Sequence, residues 1–467
     1  MTDEDIKIIF EKLPDDFWDF IDADTQQYTH GLHTYPATMI CPISRNILQL
    51  MKKVMPINVA LDPFSGSGTV LVESMLAGVE TIHGNDINPL ALFMSEVKTT
   101  PIECNKLKEI IKSFKKRLNN EFNSKLKYVQ EIEDKIAAEV DLSEMHGWGD
   151  SANDYLDRYV PEDWGLERIS FKNMGYWIKP KVLIELLIIK KEINKIEDNN
   201  VRRFALLAFS EIIRLVSNRR NGEFKMYRME ADKVRKFNPS TKDEFYKILD
   251  RNITKMGEFT NALGSNKSEV FVHSDNAMEL KSIEDNSVDI VITSPPYGDS
   301  RTTVAYGEFS KLSLNVLSNE IKSEIDVNKI DKNLMGGKKY LRGFKYDLSS
   351  KILGKSLDVI REVDLERAGD VYSFFKDLDV SIGAIAKKSK KGSYQFWVVG
   401  NRTVKKELLR TDEIIAELGQ KYGLNHVITL GRKISNKVMP SSNSPSNIAG
   451  ETVTTMNNEH IVVLKKV

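Results

Sequence analysis

Ser294-Pro295-Pro296-Tyr297 brings a hydroxyl, two fixed φ angles and an aromatic ring into four consecutive positions. Each proline locks its φ and lacks a backbone donor, so the carbonyls of Ser294 and Pro295 can face a ligand at a defined angle. Such a turn suits a flat polar ligand such as a nucleobase, hydrogen-bonded on its amino edge and stacked on its face. The residues that deliver the turn, Val288 to Ile292, are mostly β-branched and predict a buried strand that stops at Thr293.

A second stretch could cradle a ligand. Val59 to Leu61 predict a strand ending at Asp62, Gly66 and Gly68 permit close backbone approach, and Val70, Leu71, Met75 and Leu76 follow at helical spacing. A P-loop needs a lysine before the Ser or Thr, and Gly68-Thr69 has none, which disfavours a nucleoside triphosphatase. One helix further on, Thr81 to Gly84 predict a strand with Asp86 at its end, where α/β nucleotide-binding folds place an acid for ribose hydroxyls. Asp275-Asn276 closes a further strand in VFVHSDNAMEL. Polar residues at consecutive strand ends are how a doubly wound sheet lines its crevice.

The elements that must hold these residues fall into blocks. Residues 1–28 form an acidic lead-in, read as a solvated surface segment, and 29–100 carry the first α/β part. From 101 to 268 the α/β rhythm gives way to a helical insertion: one long or two shorter amphipathic helices over 106–140, then helices over 180–196 and 201–220. Residues 269–312 resume the α/β pattern, 313–370 read as a basic loop insertion, and 371–467 alternate helix and strand, ending on a strand pair compatible with an antiparallel hairpin. Two places concentrate cations. Arg219, Arg220, Lys225 and Arg228 surround Phe224 and Tyr227, which fits either phosphate binding with base stacking or an ordinary basic surface patch; Lys338, Lys339 and Arg342 flank Gly336-Gly337 in an expected mobile loop.

Composition narrows the classes. Lys plus Arg and Asp plus Glu both number 67 in 467 residues, which excludes a uniformly basic coat but not local basic strips. Two cysteines, Cys41 and Cys104, are too few for a disulfide scaffold, and His30 and His33 lack partners at metal-ligand spacing, so no metal is expected. No apolar run is long enough to span a bilayer and the N-terminus is acidic, so a cytoplasmic protein without a membrane partner is expected.

DPFSGSGT at 62–69 together with TSPPY at 293–297 resembles the S-adenosylmethionine-dependent amino-methyltransferases of DNA. The SPPY form is similar to the cytosine-N4 group, whereas adenine-N6 members more often carry DPPY or NPPY. The resemblance covers about residues 29–100 and 269–312, and less distinctly 371–467. It implies a Rossmann-like class I methyltransferase sheet, α/β and mostly parallel with a closing antiparallel hairpin, carrying a large helical insertion. Asp62, Phe64, Gly66, Gly68 and Thr69 would then form the cofactor loop, Asp86 would bind ribose hydroxyls, and Asp275 with Asn276 the adenine amino group. Thr34, Tyr35 and Pro36 would lie near the methionine end, and the insertion between Asp86 and Asp275 could hold the recognition surface. Double-stranded DNA is the implied substrate, and a cognate restriction endonuclease a partner that such a methylase would match. The cofactor motifs precede SPPY here, unlike the permuted order frequent among cytosine-N4 enzymes.

The chemistry that follows is transfer to an exocyclic amine. Ser294 and the Pro295 carbonyl would accept the amine's hydrogens, freeing its lone pair, and Tyr297 would stack on the flipped base. Ring-carbon methylation would need a cysteine nucleophile after a proline; Cys41 precedes Pro42 and Cys104 opens the helical block. Alternatives are an adenine-N6 DNA methyltransferase, an RNA guanine-N2 methyltransferase and a silent nucleic-acid-binding scaffold.

Overall fold

The structure is a computed structural model describing residues 3–143, 152–169, 171–298, 304–322, 325–337, 345–434, 442–443, 453–454 and 458–467. Seven strands form one sheet: β1 Val59–Asp62, β2 Thr81–Asn85, β3 Glu269–His273, β4 Val288–Thr293, β5 Ser389–Gly400, β6 Leu424–Lys433 and β7 Asn458–Lys466. Their order is β3-β2-β1-β4-β5-β7-β6, with every neighbouring pair parallel except those made by β7, which runs antiparallel to both β5 and β6. The expected Rossmann-like class I sheet and its closing hairpin are therefore present.

All six residues of β4 are buried, as a central parallel strand covered on both faces requires. Asp289 within it is tolerated because its carboxylate accepts from the amides of Asn58 and Val59 at 2.9 Å each and from Lys390 Nζ at 2.6 Å. Chain order reverses between β1 and β4, the position at which open α/β sheets bind ligands beyond the strands' carboxyl ends. Thr293 Oγ1 donates to Asp62 Oδ1 at 2.7 Å across this gap, tying the two strand ends together.

Helices pack on both faces. On one side lie α1 Asp3–Glu11, α2 Cys41–Met51, α3 Thr69–Leu76, α4 Pro89–Lys98 and the helical block of α5 Cys104–Glu139, α6 Pro180–Asn194, α7 Asn199–Leu215 and α8 Thr241–Leu263, joined into one apolar core with Ile290, Ile292 and Phe396 of the sheet. Residues 104–139 make one uninterrupted helix, with Leu107, Ile111, Phe114, Leu118 and Phe122 buried along one stripe. α9 Tyr306–Val316 follows the Ser294–Tyr297 turn on this side and packs on α7, where Ser313 Oγ donates to the Ser210 carbonyl at 2.7 Å.

The opposite core holds α10 Lys351–Val363, α11 Leu365–Lys388 and α12 Thr411–Gln420 with Leu61, Val291 and Trp397. Two helical stretches here correct the expectation of a basic loop over 313–370. Ser350 caps α10 by accepting from Leu353 N at 3.1 Å, and Leu353, Leu357 and Ile360 recur at helical spacing and are buried. α11 begins at Leu365, capped by Asp364, rather than at 371. None of the described helices is long and apolar enough to cross a membrane.

Candidate active site

A cleft of about 970 Å³, open mouth included, lies over the carboxyl ends of β1, β2 and β4. Its floor is the glycine loop. Gly66 and Gly68 have φ of +49° and +83°, which L side chains rarely adopt, and a Cβ on Gly68 would stand 2.9 Å from Ser95 Oγ and 3.1 Å from Ser95 Cα. The left-handed turn folds the loop back so that Ser65 N reaches the Asn85 carbonyl at 2.9 Å and Gly68 N the Ser65 carbonyl at 2.8 Å. Thr69 then opens α3, whose first turn lines the cleft.

Two carboxylates brace this loop. Asp62 accepts from Thr293 and from Phe64 N at 3.1 Å, while Asp86 accepts from Gly66 N at 3.0 Å and Asn88 N at 2.8 Å. Burial pushes Asp62 up to about 7, against the lowering effect of its two hydrogen bonds, and Asp86 up to about 6. Both line the cleft with Phe64, Gly66 and Thr69. Gly68 shapes the loop from behind, against Ser95.

Of Thr34, Tyr35 and Pro36, only Tyr35 lines the cleft. Its ring stacks on Tyr306 at 5.7 Å, meets Phe309 edge-on, and its hydroxyl accepts from Asn88 Nδ2 at 3.0 Å. Thr34 is turned away, its hydroxyl donating to Glu211 at 3.0 Å, and Pro36 is buried; Ala37, Thr38 and Met39 line the wall instead. The structure also separates the expected pair Asp275 and Asn276. Both oxygens of Asp275 hold the following turn, accepting from Ser282 N at 2.6 Å and Ser282 Oγ at 3.1 Å, whereas Asn276, Ala277 and Met278 face the cleft. Asn333, Leu334 and Met335, with Asp377 and Ser381 of α11, form an opposite wall that no sequence motif marked.

Ser294 and Pro296 of the turn line the same cleft, while Pro295 is buried. Tyr297 packs against the α11-side core, and its hydroxyl donates to Glu459 Oε1 at 3.0 Å. Burial, reinforced by the Glu459 carboxylate, holds that hydroxyl well above its usual pKa and so protonated.

The basic patches divide. Arg219 is buried, donating to the carbonyls of Arg220 and Glu223 at 2.7 and 2.8 Å, and Arg228 donates to the carbonyls of Tyr176 and Ser143 at 2.9 and 2.8 Å. These two cations brace a hairpin, Arg219 bridging to Arg228, instead of presenting charge outward. Arg220 is exposed and paired with Glu230 at 3.0 Å; Phe224 and Tyr227 are about half exposed, with Lys225 between them partly so. Lys338, Lys339 and Arg342 lie outside the described residues.

His30, Cys41 and Glu73 converge closely enough to suggest a metal site. Both Glu73 oxygens, however, accept from Arg45, at 2.9 and 2.8 Å, and burial pushes the Cys41 thiol up to about 12, so the group reads as a buried ion pair with a neutral thiol.

A family model described as D12 class N6 adenine-specific DNA methyltransferase matches residues 42–335. The Type II methyltransferase M.MvaI of Kocuria varians is 38% identical over 455 residues, spanning 96% of this chain and 93% of its own. This chain belongs to the DNA methyltransferase family. A second relative, the Type II methyltransferase M.MjaII of Methanocaldococcus jannaschii, is 26% identical over 222 residues, 42% of this chain and 41% of its own. Among solved structures, the rRNA methyltransferase aviRa of Streptomyces viridochromogenes aligns over 93% of this chain and 88% of its own at 8% identity and a TM-score of 0.29, too slight a likeness to carry an argument.

The methyltransferase uses S-adenosylmethionine, and the cleft fits it. Ser65 Oγ, Ser67 Oγ and Asn85 Oδ1 all line the cleft, are buried, and have no hydrogen-bond partner of their own. Buried polar atoms are rarely left so, and a polar cofactor would satisfy them.

Proposed function

We propose that this methyltransferase modifies the exocyclic N4 amine of cytosine in a base flipped out of duplex DNA. The observation that carries the reading is the place of Ser294, at the end of β4 and on the cleft of the glycine loop, with Pro296 beside it. Bound S-adenosylmethionine supplies an electrophilic methyl, so the chain's task is to aim a nitrogen lone pair at it. Acceptors on the amine's hydrogens draw the nitrogen toward tetrahedral geometry and stabilise the positive charge that develops there. Tyr297 offers a ring face to the base. Asp62, Phe64, Gly66, Gly68, Thr69 and Asp86 hold the donor's polar groups, Tyr35 borders its methionine end, and Asn276 stands beside its adenine.

A second reading, transfer to adenine N6, is favoured by the family model matched over residues 42–335. Mass analysis of nucleosides from methylated DNA separates the two: N4-methylcytosine supports the first, and N6-methyladenine replaces it with the second. Transfer to RNA guanine instead would sink both, and no transfer to any nucleic acid would favour a scaffold.

The helical block between Asp86 and Asp275 supplies the recognition surface in this reading. Arg220 and Lys225 neutralise phosphate there, and Phe224 and Tyr227 offer faces for stacking; Lys338, Lys339 and Arg342 are further candidate phosphate contacts by their sequence. A role beside a cognate restriction endonuclease is supported by the two Type II methyltransferases among the relatives. Co-expression of a neighbouring nuclease gene, with survival dependent on the methyltransferase, tests it.

A further inference from the structure

Ser294 can serve as an acceptor only if its own proton points elsewhere. A hydroxyl rotates, and with no constraint it would as readily donate to a ligand as accept from it. The structure contains a chain of groups that removes this freedom. Tyr297 OH lies 3.4 Å from Ser294 Oγ and 3.0 Å from Glu459 Oε1. The other oxygen of Glu459 is held by Arg432, and the side chains of these two residues are 16% and 6% exposed. Arg432 is fixed in turn by donating Nε to the Trp18 carbonyl at 3.0 Å, and the amide of its neighbour Lys433 donates to Asp19 at 2.7 Å.

We infer that Glu459 is a positioning residue for methyl transfer, setting the hydrogen-bond polarity of the target turn through Tyr297. An ionised carboxylate only accepts. Tyr297 must therefore spend its single proton on Glu459, which leaves its oxygen lone pair facing Ser294. Ser294 donates into that lone pair, and its own lone pairs are turned to the cleft for the amine. The protonated state of Tyr297, enforced by burial beside Glu459, keeps the chain in this direction. Arg432 holds Glu459 in place, and the lead-in segment at Trp18 and Asp19, read from sequence as a solvated surface, fixes Arg432 and its neighbour.

The inference rests on the reading of Ser294 as the amine's acceptor, and the test separates the two. Single-turnover methyl transfer to duplex DNA and S-adenosylmethionine affinity are measured for Ser294→Ala, Tyr297→Phe, Glu459→Gln and the Tyr297→Phe/Glu459→Gln pair. Tyr297→Phe keeps the ring and leaves the Glu459–Arg432 pair intact, so it reports even if Glu459→Gln folds poorly. The expected result is a rate lowered roughly 10- to 100-fold by either single change, cofactor affinity within about twofold of wild type, and no further loss in the double variant. Multiplying losses, or a Glu459→Gln protein that melts earlier but transfers at the wild-type rate, would overturn the positioning role. A Ser294→Ala protein that transfers normally would overturn the acceptor reading itself. If Ser294→Ala is impaired while Tyr297→Phe is not, only the inference about Glu459 fails.

Discussion

Residues 62–69 and residues 293–297 face one cleft from adjacent strand ends, yet they are built from opposite backbone chemistry. The first segment turns on two left-handed glycines and exposes or pairs its amides: Phe64 N with Asp62, Gly66 N with Asp86, Gly68 N with the Ser65 carbonyl. The second removes two amides with prolines and leaves carbonyls and a hydroxyl. In the proposed reading the first segment meets the methyl donor, and the donor-poor turn meets an amine that has only hydrogens to give. A single sheet reversal thus juxtaposes two loops whose hydrogen-bonding signs are complementary to different molecules.

The comparison predicts that damage to one side leaves the other's measurement still. Gly68→Val should have the largest effect, because the residue sits at φ +83° against the backbone of Ser95. A loss of about 3 kcal/mol in stability is expected, with cofactor affinity falling more than roughly 100-fold. Calorimetric titration checks this, and a variant that binds normally would show the loop to be slack. Tyr297→Ala should lower the methyl-transfer rate by roughly 10- to 100-fold through lost stacking while cofactor affinity holds. A parallel loss of cofactor binding would mean that the halves are not separable.

The pH dependence should split in sign within the cofactor side. Asp62 and Asp86 stand at about 7 and about 6 when folded, above an unfolded value of about 3.9. Between these limits the folded chain holds more protons than the unfolded one, so ligand-free stability falls as pH rises from about 4 to about 7. Affinity for the cationic donor should rise over the same interval as the carboxylates ionise. Melting temperatures and dissociation constants at pH 5.5 and 8 check this; if both quantities move together, the carboxylates do not face the donor's charge. The smallest effect concerns the hairpin. Arg220→Ala should weaken DNA binding less than roughly tenfold and reduce the salt slope by about one. Arg219→Ala should leave that slope unchanged and cost about 1–2 kcal/mol of stability, since it removes a buried side chain that donates to two carbonyls of the hairpin.

The sheet was legible because short apolar or β-branched runs leading to Asp62, Asp86 and Thr293 carry both the strand and its terminus in consecutive residues. Contacts made by distant residues left no local mark. Tyr306 stacks on Tyr35, and Glu459 meets Tyr297, only because the fold brings together segments far apart in sequence. Nor does composition show where a cation points: Arg219 and Arg220 are neighbours in a basic run, one buried on its own backbone and one exposed. Asp275 stands out by type and place, and only the fold shows that Ser282, seven residues on, donates to both its oxygens.

β7 lies between β5 and β6 although it leaves the ribosome after both. Until residues 458–466 are made, β5 has an open edge and Tyr297 has no Glu459. The parts of the cofactor loop, by contrast, are complete once β4 exists. A growing chain thus makes its glycine loop first, the opposite wall of the cleft at Asn333–Met335 and α11 next, and the brace of the turn at Glu459 last.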